Sequence, residues 1–195
     1  MGEKIQIGVD LVEDSTDPVV LATFERLEAR SGIGMLHRTL ANSPDVFASF
    51  VGLAQALRYS TQIDPVDREL AICAVLERHE GHYELAAHRR FAAIIGATQE
   101  QIDNVSNRDC MGVYTERQEQ ILRFAAQLAA DPGELADLPP SRIEEWLDNR
   151  ERIELGLTLA LYMGLAHFTA LFAVPAEDFE RDGAPSLSRA AQRPA

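Results

Sequence analysis

The sequence predicts an all-α fold, a single-domain multi-helix bundle, and three observations carry that prediction. Apolar residues recur at helical spacing along most of the chain, alternating strand patterns are nearly absent, and Asp-Pro or Ser-Pro pairs stand where helices should begin. An aspartate or serine before proline offers a side-chain acceptor to the unpaired N–H groups of a first turn. Proline at the first helical position loses nothing, because its missing N–H would have had no partner there.

The elements follow in order. Residues 1–16 form a polar N-terminal extension, residues 17–175 the helical domain, and residues 176–195 a Gly-, Pro-, Ser- and Arg-containing tail expected to be mobile. Asp17-Pro18 opens a helix that runs from Val19 to about Arg30 and ends at Ser31-Gly32-Ile33-Gly34. Ser43-Pro44 opens the next, with Val46, Phe47, Phe50, Val51, Leu53, Ala54 and Leu57 on its apolar face. Asp64-Pro65 repeats the signal ahead of Val66, Leu70, Cys73, Ala74 and Leu76. A break at Glu80-Gly81 separates this helix from one spanning His82 to Ile95, which Gly96 stops. Thr98-Gln99-Glu100-Gln101 has the pattern of a capping box and starts a short helix to about Val105. Thr115 to Ala129 is strongly amphipathic, with Ile121, Leu122, Phe124, Ala125 and Leu128 facing inward, and Asp131-Pro132-Gly133 breaks it. Pro139-Pro140-Ser141 is expected to start a helix containing Trp146, and a long apolar helix then closes the fold.

That last stretch, Leu155 to Pro175, is as long as a membrane span, but Thr158, Gly164, His167 and Thr169 interrupt it. With neither a flanking cluster of Lys and Arg nor an aromatic belt, it reads as a buried helix of a soluble protein, so no membrane partner is expected. The bulk composition agrees: 46% of the 195 residues are hydrophobic and 25% are charged. The formal net charge of -13 and a pI near 4.7 argue against nucleic acid, whose phosphates call for clustered Lys and Arg. There are only two cysteines, Cys73 and Cys110, far apart, and the N-terminus has no apolar signal region. A reducing cytoplasm is therefore the expected location.

Candidate chemistry concentrates between Arg68 and His88. Glu84 and His88 stand at i, i+4 spacing, so they share a helix face and can hydrogen-bond; a carboxylate that orients an imidazole suits proton transfer near neutral pH. Glu69 lies on the preceding helix and reaches the same place if the two helices pair around Gly81. The plain alternatives are a surface Glu–His pair and solvated charges at Arg68 and Glu69. His79, His82, Glu84 and His88 fall close together, but the break at Gly81 separates the first from the rest and no metal site is assigned. Cys73 sits on an apolar helix face and reads as core, as does His167 on the closing helix.

The segment resembles the carboxymuconolactone decarboxylase family of the alkylhydroperoxidase-D-like superfamily. Arg68-Glu69-Leu70, an apolar helix, a turn and then Tyr83-Glu84-Leu85-Ala86-Ala87-His88 are similar to the family's R-E-L and Y-E-W-x-x-H elements. Leu40-Ala41-Asn42-Ser43-Pro44 resembles its apolar A-x-x-P opening. Phe91 to Gly96 with Gln99 to Ile102 resembles the motif that follows, and Glu154 to Pro175 its closing helix. The peroxidase branch has a C-x-x-C pair whose positions are Gly81 and Glu84 here, so the resemblance is to the decarboxylase branch, with Leu85 in place of that branch's tryptophan. It implies a cofactor-independent lyase acting on a small carboxylated lactone or carbonyl acid. His88 would be its acid/base, Glu69 a second proton shuttle or orienter, and Glu84 the partner of His88. Tyr83, His82 and His37 would contact the substrate. It also implies a homo-oligomer, a dimer, trimer or hexamer. Other lyase, isomerase or cyclase chemistry and a non-catalytic oligomeric binding protein remain as alternatives on the same scaffold.

Overall fold

A computed structural model describes residues 7–107 and 112–175, and all of their regular structure is helical. The tail from residue 176 and Cys110 lie outside the described residues. The chain divides into two compact units, Met1–Ser60 with Phe168–Ala195, and Thr61–His167.

The first unit contains α1 (Pro18–Glu28), α2 (Met35–Leu40) and α3 (Pro44–Tyr59). The Asp17 side chain accepts from the backbone N–H of Val19 and Val20 at 2.8 and 3.2 Å, as the Asp-Pro signal predicts. Its core gathers Val20, Leu27, Ala41, Phe47 and Val51, with the Phe24 and Phe47 rings edge-to-face 5.5 Å apart. Residues 7–16 form no helix. The Val12 N–H donates to the Arg38 carbonyl at 3.2 Å, and the Asn42 side chain donates to the Asp10 carbonyl at 2.7 Å. The six-residue helix α2 is too short for periodicity to signal, so the sequence reading passes over it.

The second unit holds α4 (Pro65–Arg78), α5 (His82–Ile95), α6 (Gln99–Asp103), α7 (Glu116–Leu128) and the first nineteen residues of α8 (Asn149–Leu171). Helix α4 is central. Every residue from Asp67 to Leu76 except Ala74 is buried, including three charged ones. Its apolar side chains enter two clusters, one with α7 and α8 around Ile72, Leu76, Ile121, Leu155 and Leu159, the other with α5 and α6 around Leu70, Cys73, Ala92 and Ile102. Gly96, at φ 113°, ends α5 in the left-handed conformation that glycine adopts without steric cost.

Gly81 serves a different purpose. A Cβ there would lie 2.8 Å from Leu76 Cδ2 and 2.9 Å from Ala166 Cβ, so the missing side chain is what lets α8 pack against the α4–α5 turn. Gly81→Ala should cost about 1–3 kcal/mol, the usual range for overpacking. Urea unfolding checks this, and an unchanged midpoint would mean that α8 does not pack closely there.

Two expectations need correction. The segment from Pro139 does not form a helix with Trp146 inside it; only a 3-10 turn, Ile143–Glu145, appears. Its polar groups are spent on α7 instead. Ser141 Oγ donates to the Gln120 carbonyl at 3.1 Å, the Arg142 N–H donates to Gln120 Oε1 at 2.8 Å, and Gln127 Nε2 donates to the Pro139 carbonyl at 3.3 Å. The second correction concerns α8, which is long and apolar enough to cross a membrane yet has only 33% of its apolar window buried. Leu155, Thr158, Leu159, Leu165 and Ala166 face the core, while Ile153, Leu157, Ala160, Gly164 and His167 are exposed at alternating spacings of four and three. The helix is therefore buried on one face, not all round.

Candidate active site

The site is built where α4 and α5 pack as a pair around Gly81. On α5, Glu84, His88, Phe91 and Ala92 recur at helical spacing and are all buried. On α4, Glu69 is 1% exposed and its carboxylate meets the His88 ring, with Oε2 2.6 Å from Nδ1. The other oxygen, Oε1, accepts from Arg68 Nε and from its terminal nitrogen, each at 3.2 Å, and Arg68 also donates to Thr61 Oγ1 at 3.3 Å. Arg68 is itself only 4% exposed. The Arg68 guanidinium thus meets one oxygen of Glu69 and the His88 ring meets the other, so Nδ1 is the ring nitrogen turned toward the carboxylate.

This geometry revises the roles expected along the chain. The carboxylate on the His88 ring is Glu69, reached across the helix pair, and not Glu84 one turn earlier on the same helix. Glu69 is thereby placed between the two groups, with Oε2 on the His88 ring and Oε1 on Arg68. Glu84 is buried on the same face of α5 as His88. Tyr83 is partly buried beside it, and His82 is exposed at the first position of the helix. His37 belongs to the other unit, where its Nδ1 accepts from the Gly34 N–H at 2.9 Å and closes the start of α2. Burial, reinforced by the charge of Arg58, holds its pKa down at about 4.

Three participants escaped the sequence reading. Tyr162 of α8 packs edge-to-face on His88 with the ring centroids 4.5 Å apart, and nothing local in the sequence links the two residues. Arg68 stands in the R-E-L element without a role assigned to it, and Thr61 carries no signal. A second ionic network went unseen as well. Arg117 on α7 donates to Asp67 at 2.8 Å, to Glu151 at 3.1 Å and to the Trp146 carbonyl at 2.9 Å, tying α4, α7 and α8 together.

Residues 44–127 match the sequence model of the carboxymuconolactone decarboxylase family, and both Glu69 and His88 fall inside the match. The match makes this segment similar to the carboxymuconolactone decarboxylase family over somewhat less than half of the chain. No curated protein matches the chain significantly. The matched segment runs from the start of α3 almost to the end of α7, so Tyr162 on α8 lies beyond it. A cleft of about 750 Å³ also lies in the Thr61–His167 unit, with Ala74, Val105, Leu122 and Ala126 in its floor and Glu77, Glu119 and Glu134 on its rim. It is lined by neither Glu69 nor His88, so this cleft and the candidate chemistry lie apart.

The family's peroxidase branch needs a thiol where this chain has Gly81, and that position has no room even for a Cβ. Cys73 offers no substitute, because it is fully buried and burial, together with the Glu69 charge, pushes its thiol well above the ordinary range. A Cys73→Ser, Cys110→Ser double variant should therefore keep its turnover and lose only some stability at Cys73. Hydroperoxide reduction by the wild type that vanished in this variant would show thiol chemistry after all.

Proposed function

We propose that this chain is a cytoplasmic, cofactor-independent lyase of the decarboxylase type, acting on a small carboxylated lactone or carbonyl acid. The observation that carries the reading is the buried Arg68–Glu69–His88 series, in which a charged guanidinium and an ionised carboxylate orient one imidazole. In such a reaction the substrate's C–C bond to its carboxylate breaks, CO₂ leaves, and the electron pair passes into the adjoining carbonyl system as an enolate. Protonated His88 delivers a proton from Nε2 to that carbon and regains one from solvent. Glu69 stabilises the imidazolium before transfer and holds the ring in place through it. A buried setting suits the step, because excluding water strengthens each of these interactions.

The test is release of CO₂ from a panel of β-keto acids and carboxylated lactones by the purified protein, followed by proton exchange in D₂O at the carbon that loses CO₂. Turnover with deuterium incorporated at that carbon supports the reading. Tight binding of these acids without turnover would move the protein to the alternative of a non-catalytic binding protein.

The same proposal includes self-association. The exposed stripe Ile153, Leu157, Ala160, Gly164 and His167 repeats at the 4–3 spacing of a helix–helix seam, with small residues where two helices would approach most closely. The expected particle in light scattering is a dimer, trimer or hexamer, and Leu157→Glu should shift it toward monomer. A monomeric wild type at micromolar concentration would refute the assembly.

A further inference from the structure

We propose that Tyr162 is a positioning residue of this site, holding the His88 imidazole in the orientation in which Nδ1 meets Glu69 and Nε2 is left for proton transfer. The inference rests on the reading of His88 as the proton-transfer group and adds a residue that lies beyond the family segment.

The argument is geometric. The imidazole pivots about its Cα–Cβ and Cβ–Cγ bonds, and a single hydrogen bond at Nδ1 resists that motion only until the Glu69 side chain moves with it, which would sweep Nε2 through an arc. The Tyr162 ring, 4.5 Å from the His88 ring centroid and inclined at 77°, blocks that pivot with an edge-to-face contact. Tyr162 in turn is held by packing, since it lies against the cluster containing Leu76, Leu155 and Leu159. One helical turn on, Ala166 is buried against the α4–α5 turn where Gly81 makes room for it. Gly81 therefore sets how closely α8 approaches, and that approach sets the ring on His88. The groups facing the imidazole are Glu69 with Arg68 behind it on α4, Glu84 on its own helix α5, and Tyr162 on α8.

The experiment reads the tautomer of neutral His88 in the full chain by ¹⁵N–¹H correlation of the imidazole. In the wild type the Nδ1–H form should dominate, because the hydrogen bond at one nitrogen decides which tautomer is present. Tyr162→Phe keeps the ring and should keep that spectrum. Tyr162→Leu should release the ring into a mixture of tautomers, and kcat should fall roughly 10–100-fold with KM little changed, the scale of a small misplacement of a reacting group. Tyr162→Met gives the same readings should the leucine variant fail to fold. A leucine or methionine variant with the wild-type tautomer would overturn the proposal. So would a phenylalanine variant that lost it, because the hydroxyl and not the ring would then be holding His88. The spectrum needs no substrate, so a wild type that turned nothing over would defeat the lyase reading while leaving the placement of Tyr162 to be judged on its own.

Discussion

His88→Ala is expected to lower kcat by roughly 10²–10⁴-fold, the usual yield of a positioned proton-transfer group. The expectation follows from where the ring stands. Nδ1 is bonded to Glu69 at 2.6 Å, so only Nε2 can exchange a proton with substrate, and an alanine leaves no titratable group in its place. If the loss is confined to kcat, the imidazole acts in the transition state; a rise in KM alone would mark it as a binding group. Exogenous imidazole should restore part of the rate if the cavity left by the side chain admits it. Loss of folding would spoil the comparison, so urea unfolding must accompany the kinetics. A variant that is folded and retains full turnover would remove His88 from the mechanism.

The helices themselves were well marked in the sequence. Asp17-Pro18, Asp64-Pro65, Thr98 and Thr115 stand where α1, α4, α6 and α7 begin, because a capping side chain works within three residues of the N–H it serves and so leaves a local trace. Pro139-Pro140 looks like the same signal, but the groups that would have closed that helix bond to Gln120 and Gln127 instead, and no local pattern registers such competition. The site was legible in the same graded way. Glu69 and His88 are legible through their register with the R-E-L and Y-E-W-x-x-H elements of the family they resemble. Glu84 reads as the partner of His88 because i, i+4 spacing is visible along a single helix, whereas the rotation of α4 against α5 that turns Glu69 toward the ring is a property of packing. Tyr162 comes from a distant helix, and only the closeness permitted by Gly81 connects it to His88.

The largest effect on stability should come from Glu69→Met. Removing this carboxylate takes from Arg68, 4% exposed and permanently charged, the acceptor it meets twice at 3.2 Å, while His88 Nδ1 loses the same carboxylate. Breaking a buried pair from one side costs about 3–5 kcal/mol, because the stranded charge keeps its desolvation penalty and loses the attraction that offset it. Arg68→Met should be costly for the converse reason, since it removes the guanidinium that meets Oε1 of the buried Glu69. The informative variant is the double one, Arg68→Met with Glu69→Met. Replacing both partners by apolar side chains of similar length removes the two buried charges together, so the double variant should be clearly more stable than the sum of the single losses predicts. Urea midpoints for the four proteins complete the cycle. If the site exists for stability, the double variant should unfold well below the wild type. If the pair is kept for its chemistry, the double variant should fold nearly as well as the wild type and yet turn over as poorly as Glu69→Met, because His88 would still lack the carboxylate that orients it. Additive losses across the cycle would mean that Arg68 and Glu69 do not act as a pair, and the series leading to His88 would lose its first link.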